Sequence, residues 1–157
     1  RSVINDEYSV EIASHMKKAS DLNDDASLQY ADTEEELYII VIDESAKGFR
    51  DAFTNDKDWD KGMTLAENYR KVQMKSLSKT MKIKGKPVIQ KTSVSKMPAE
   101  IVDFVGKVKG IEQLIFYKIG FVESEGKLYM IMTWTLNDMR ALHNAEMTNM
   151  IKSFRTE

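Results

Sequence analysis

Two alternating apolar stretches near the C-terminus, Leu114 to Val122 and Leu128 to Leu136, constrain the fold more than any other feature of the chain. Ile115, Tyr117, Ile119 and Phe121 share one face of the first, and Leu128, Met130, Met132, Trp134 and Leu136 share one face of the second. Successive side chains of a strand point to opposite sides of a sheet, so a period of two marks each stretch as a strand. The segment between them, Glu123-Ser-Glu-Gly-Lys127, is short and carries glycine, which makes the pair an antiparallel hairpin. Such a hairpin has to be extended into a sheet, and the apolar side of that sheet has to be covered.

The rest of the chain supplies both. Tyr8, Val10 and Ile12 alternate with polar residues as a half-buried strand, Leu28 and Tyr30 give a short one, and 14–25 reads as a loop. The acidic run Asp32 to Glu36 turns the chain into Leu37 to Ile42, a strand apolar on both faces and therefore central. From Met63 to Met81 the period becomes helical: Leu65, Ala66, Tyr69, Val72, Met74 and Leu77 lie on one arc, and Glu67, Asn68, Lys71, Lys75, Lys79 and Lys82 on the other. Gly85 and Pro87 end that helical pattern, and strands follow at Val88 to Met97 and Ile101 to Val108, with Met97-Pro98-Ala99 as a tight connection. Asn137 or Asp138 caps a last helix whose apolar face is Met139, Leu142, His143, Met147, Met150, Ile151 and Phe154. With no repeat and no linker, residues 1–157 form a single α+β domain: an α/β/α sandwich with a central antiparallel sheet flanked by helices.

At 157 residues and 42% apolar content the chain can build one core without staples. It has no cysteine, which excludes disulfides, thiolate metal sites and a cysteine nucleophile. The longest apolar run is far short of the roughly 20 residues that span a bilayer, so no transmembrane segment is expected. The sequence starts at Arg1 rather than methionine, so it reads as a processed or excised form, and the compartment stays open on this ground.

Charge is balanced overall at −2 and uneven along the chain. Residues 1–60 hold 6 basic and 16 acidic side chains, residues 61–109 hold 12 and 3, and residues 110–157 hold 5 and 6. Between Lys71 and Lys109 only Phe104 interrupts the lysines with an aromatic ring, so stacking on bases is unsupported and no nucleic acid is expected. The lysine face of the helix is either solvated surface or a patch for an anionic partner.

The most specific local match is the acidic loop 56–67. Asp56, Asp58, Asp60 and Glu67 fall at the first, third, fifth and twelfth positions of a calcium-binding loop, and Phe49-Arg-Asp-Ala-Phe53 stands where its incoming helix would be. The sixth position, normally glycine, is Lys61, and glycine is displaced to Gly62. The bland alternative is a solvated acidic loop before a helix N-terminus. His15 reads as an exposed loop residue and His143 as a packed one, and their isolation argues against a zinc site. No nucleophile elbow, phosphate loop or dinucleotide motif is present, and the ten methionines are core filler or the lining of an adaptable groove.

In the order of its elements the chain resembles the PsbP-like superfamily, which includes the photosystem accessory protein and the eukaryotic Ran-release factor. The resemblance runs from Tyr8-Ser-Val-Glu-Ile12 through the Leu37–Ile42 strand, the long helix and Leu128-Tyr-Met-Ile-Met-Thr-Trp-Thr135 to Ile151-Lys-Ser-Phe154. It implies an α/β/α sandwich, a non-enzymatic binding or accessory role and, for a bacterial member, export to the periplasm or cell envelope; a cytoplasmic setting is the alternative. No site residue carries over. The function expected is therefore a non-catalytic module that binds a protein or an apolar ligand, without a cofactor. The alternatives are a calcium-responsive domain using Asp56, Asp58, Asp60 and Glu67, and a hydrolase of unknown specificity.

Overall fold

Alternation becomes sheet wherever the sequence carries it. The computed structural model describes residues 1–157, with strands β1 (Ser2–Ile4), β2 (Tyr8–Val10), β3 (Lys17–Lys18), β4 (Leu28–Asp32), β5 (Leu37–Ser45), β6 (Met81–Val94), β7 (Met97–Val108), β8 (Ile115–Glu123), β9 (Lys127–Leu136) and β10 (Arg155–Thr156). The helices are α1 (Ala46–Phe53), α2 (Leu65–Leu77) and α3 (Arg140–Ser153). Seven strands form one antiparallel sheet in the order β3-β4-β5-β9-β8-β7-β6. The hairpin lies at its middle, with Ile119 opposite Met132 and Tyr117 opposite Trp134. A small sheet, β1-β2-β10, ties the two ends of the chain together.

Each face of the large sheet is covered by helix, as the sandwich requires. On one side Ile39, Phe116, Val122 and Ile131 meet Met147, Met150 and Ile151 of α3. On the other, Ile119, Phe121, Leu128 and Met130 meet Phe49 of α1 and Leu65 and Tyr69 of α2. The α3 side is close enough to need a missing side chain: a Cβ on Gly120 would lie 2.7 Å from Ile151 Cγ2. All ten methionines are buried or half-buried, as filler would be. No helix is long and apolar enough to cross a membrane.

Several boundaries differ from the sequence expectation. Helix α2 stops at Leu77, so Met81 and Lys82 belong to β6, and Gly85 and Pro87 sit inside that strand, at a register shift between Lys84 and Val88. The tight connection is Ser95–Lys96, both left-handed at φ 49° and 69°, and not Met97-Pro98-Ala99. Pro98 is tolerated because the β7–β8 register begins one residue later, at Ala99. The loop 14–25 contains the edge strand β3. Helix α3 follows a 3₁₀ turn, Asn137–Met139, and has no side-chain cap, because the turn itself feeds the first helical bonds. Leu142 is 64% exposed, since α3 meets the sheet through His143, Met147, Met150 and Ile151 alone.

Candidate functional site

The acidic loop runs between α1 and α2, and local chemistry decides where its carboxylates point. Asp56 Oδ1 accepts the Asp58 N–H at 2.9 Å, and Asp60 Oδ1 accepts the Gly62 N–H at 2.8 Å. Each of these bonds uses one aspartate oxygen to close a turn on the backbone two residues on. Asp58 Oδ2 pairs with Lys75 Nζ at 2.5 Å, and Glu67 Oε1 with Lys91 Nζ at 3.1 Å. These lysines hold both carboxyls below the usual carboxylate range. Glu67 also closes a capping box with Thr64 at the start of α2. Helix α1 does stand where an incoming helix belongs, yet neither Lys61 nor Gly62 has a positive φ. No three histidine, aspartate or glutamate side chains are grouped so that they could hold a metal ion.

Asn68, placed on the outer arc of α2 by the sequence, is 1% exposed. Its Oδ1 accepts the Asp60 N–H at 3.0 Å, and its Nδ2 donates to Asp60 O at 2.9 Å and Thr64 O at 3.3 Å. Asn68 thereby seats the loop on the helix, a role with no signature in the helical period. Lys71 adds a bond of 2.7 Å to Asp58 O.

Seating the loop leaves a cleft of about 590 Å³ between it and α2. Phe53, Trp59 and Val72 supply its apolar surface, and Lys71, Lys75 and Lys79 stand along its rim with Asp56 and Asp58. Trp59 is fixed from behind by Phe49, their ring centroids 5.8 Å apart. An aromatic floor with a polar rim suits recognition of a segment that presents an apolar anchor.

A second charged group lies on the opposite side of the sheet. His15 precedes β3, Asp32 ends β4, Glu35 belongs to the β4–β5 turn, and His143 and Glu146 lie on α3; these five residues line a hollow of about 280 Å³ with Leu142. His15 is the exposed loop residue the sequence suggests and His143 the packed one, but the two rings lie side by side, centroids 6.3 Å apart. Hydrogen bonds to Asp32 and Glu146 raise the His15 pKa above its ordinary value. Burial pushes the Glu146 carboxyl up, but bonds from His143 and His15 outweigh it and hold the group below the usual range.

Charge is segregated across the sheet. The acidic part of the chain builds the β3-β4-β5 end, and the basic part builds the β7-β6 end. Lys75–Asp58 is the one ion pair that joins residues 1–60 to residues 61–109. The free edge, β6, carries Lys82, Lys84, Lys86 and Lys91 beside Val88, which is 65% exposed. Lysines, a proline and a bulge on an edge strand discourage pairing with stray strands.

No family model matches the sequence, and no curated protein is significantly similar to it. Solved structures do share its architecture. PsbP of the cyanobacterium Synechocystis sp. PCC 6803 is similar over 97% of this chain and 88% of its own, at 13% identity and a TM-score of 0.60. LpqN of Mycobacterium tuberculosis, involved in cell envelope biogenesis, is similar over 95% and 82%, at 11% identity and a TM-score of 0.56. The Saccharomyces cerevisiae Ran-binding protein Mog1p is similar over 94% and 89%, at 14% identity and a TM-score of 0.53. These matches span nearly the whole chain, and with the seven-stranded antiparallel sheet between α3 and the α1–α2 pair they give this chain the PsbP-like fold.

Proposed function

We propose that this chain is a non-catalytic binding module that docks a protein partner in the cleft between loop 54–60 and α2. The observation that carries this reading is the cleft itself: Trp59, Phe53 and Val72 form an apolar floor inside a rim that includes three lysines. The rim is too polar for a wholly apolar ligand and suits a protein segment with one aromatic or branched apolar anchor flanked by carboxylates. The fold supports a binding role by analogy, since it is shared with a Ran-binding protein, Mog1p. The envelope role of LpqN supports placing the module outside the cytosol.

A random peptide library displayed against the intact chain tests the reading. Selected peptides are expected to share an aromatic or branched residue among acidic ones. Their affinity should fall more than about tenfold, or 1.4 kcal/mol, in Trp59→Ala. Lys79→Glu, at a rim lysine that makes no ion pair, leaves the floor intact and should weaken the same peptides. Peptides that bind both variants as tightly as the parent chain place the docking face elsewhere.

A further inference from the structure

The corner where α3 meets the β3–β4 edge is governed by what a carboxylate cannot do. An ionised carboxylate only accepts hydrogen bonds, and a neutral imidazole donates only one. His15 has a carboxylate oxygen 2.7 Å from each ring nitrogen: Asp32 Oδ2 at Nδ1 and Glu146 Oε2 at Nε2. The two bonds coexist only while the ring carries both protons. These separations are those of direct charged hydrogen bonds, so the group that fits between ring and carboxylate is a proton.

The surroundings reinforce that requirement. Glu146 Oε1, its other oxygen, lies 3.0 Å from His143 Nδ1, so this one carboxylate spans both rings. His143 is 3% exposed, and its Nε2, 3.3 Å from Glu35 Oε2, makes no hydrogen bond. At the end of β4 Asp32 also accepts the N–H groups of Glu34 and Glu35 in the turn, while Glu36 accepts from the Tyr38 hydroxyl. No lysine or arginine pairs with Asp32, Glu35 or Glu146: Lys17 and Lys18 of β3 pair with no acid, and Arg140 of α3 lies over the Phe116 ring. The carboxylates are therefore balanced by the histidines alone.

We propose that His15 is a proton-operated latch that, when charged, clamps the segment entering β3 between the end of β4 and α3, and when neutral lets go of one of them. Strand β3 is a short edge strand, otherwise held by the buried Met16 side chain and a 3.0 Å bond from Ala19 N–H to Gln29 O. It is two residues long and pairs only as Lys17 with Ala31 and Lys18 with Tyr30. Release loosens the cover that β3 gives to the outer edge of β4, Leu28–Asp32. A histidine whose pKa is raised by folding stabilises fully below its unfolded value of about 6.5 and loses that contribution as pH rises through the folded value. The latch is shut below that folded value, down to the range in which Asp32 and Glu146 take up protons, and opens above it. Nothing in it depends on the cleft at α2, which lies on the other face.

Long-range ¹⁵N spectra of the imidazoles in the intact chain, recorded across the neutral and alkaline range with amide exchange at Lys17, Lys18 and Ala19, test it. His15 is expected to hold protons on both nitrogens below a midpoint above about 6.5. Exchange at the β3 amides, corrected for base catalysis, should accelerate through that same midpoint. Asp32→Asn and Glu146→Gln should each lower the midpoint, since each removes one of the two charged bonds that raise it. His15→Gln, at an exposed position that tolerates the change, should keep the fold and make exchange fast at every pH. A midpoint at or below 6.5, one that ignores both variants, or β3 exchange with no inflection overturns the proposal. One-to-one capture of zinc that displaces a His15 ring proton overturns it as well.

Discussion

Four carboxylates within twelve residues of the acidic loop stay apart, while five titratable side chains drawn from positions 15 to 146 come together. The loop fails to converge because each aspartate satisfies itself nearby or turns to a lysine. Asp56 and Asp60 bond backbone two residues on, and Asp58 reaches Lys75. The corner converges because pairing aims it: Lys17 opposite Ala31 sets His15 beside Asp32, and α3 crosses that edge with Glu146 pointing down. Spacing along a chain supplies the number of groups, whereas topology decides whether they face one another.

The largest effect is expected where the contrast is least clean, at the buried anchor of the loop. Asn68→Ala removes three hydrogen bonds to Asp60 and Thr64 from a side chain almost wholly enclosed. At roughly 0.5–1.5 kcal/mol for each bond, and with incomplete additivity, we expect a loss of about 2 kcal/mol in urea unfolding. A loss under about 0.5 kcal/mol, the usual range for a surface substitution, would mean that the loop is held by its own turns and that Asn68 is incidental.

A smaller effect separates the two regions by pH. Acid weakens both, because Asp58, Glu67, Asp32 and Glu146 all have lowered pKa values and lose their stabilising charge as pH falls through them. Alkali divides them. Lys75 is raised above its ordinary value by Asp58, so the loop keeps its ion pair well past neutrality, while His15 gives up its proton. Amide exchange followed from acid to mildly alkaline solution should therefore show extra opening at Lys17–Ala19 and none at Asp58 and Gly62. Equal opening at both would erase the difference between a lysine-held and a histidine-held carboxylate.

The sequence made the sheet readable where side-chain period is strong and obscure where it is shared. Alternation marks β8 and β9, the apolar run marks β5, and the helical arc marks α2 to within a turn. It overran at Met81 because Met81 and Ile83 face the same apolar layer from β6 that Met74 and Leu77 face from α2, so the pattern continues across a change of structure. The turn at Ser95–Lys96 was hidden because neither residue advertises a left-handed conformation, and Pro98 drew attention to the wrong place. For the corner, each histidine could be read singly, as exposed or packed, but their adjacency follows from β3 pairing with β4 and α3 lying over that edge. Neither relation is written in local period.

The smallest expected effect is the most decisive about the loop. A ligand that binds only the folded chain stabilises it by about 2.7 kcal/mol at a hundredfold excess over its dissociation constant, so calcium bound by Asp56, Asp58, Asp60 and Glu67 would be visible in a thermal melt. Binding would require Asp58 and Glu67 to leave Lys75 and Lys91, Asp56 and Asp60 to turn toward the same point as these two, and the residue at the sixth position to wind into the left-handed region. A non-glycine residue there costs about 1–2 kcal/mol, and Lys61 brings its own positive charge. We therefore expect the same melting midpoint in excess calcium and in chelator, with Asp58→Ala shifting both alike. A calcium-specific rise that Asp58→Ala abolishes would reverse the contrast between the two clusters. The twelve-residue spacing would then have been sufficient, and the lysine bonds would be a resting state that the ion displaces.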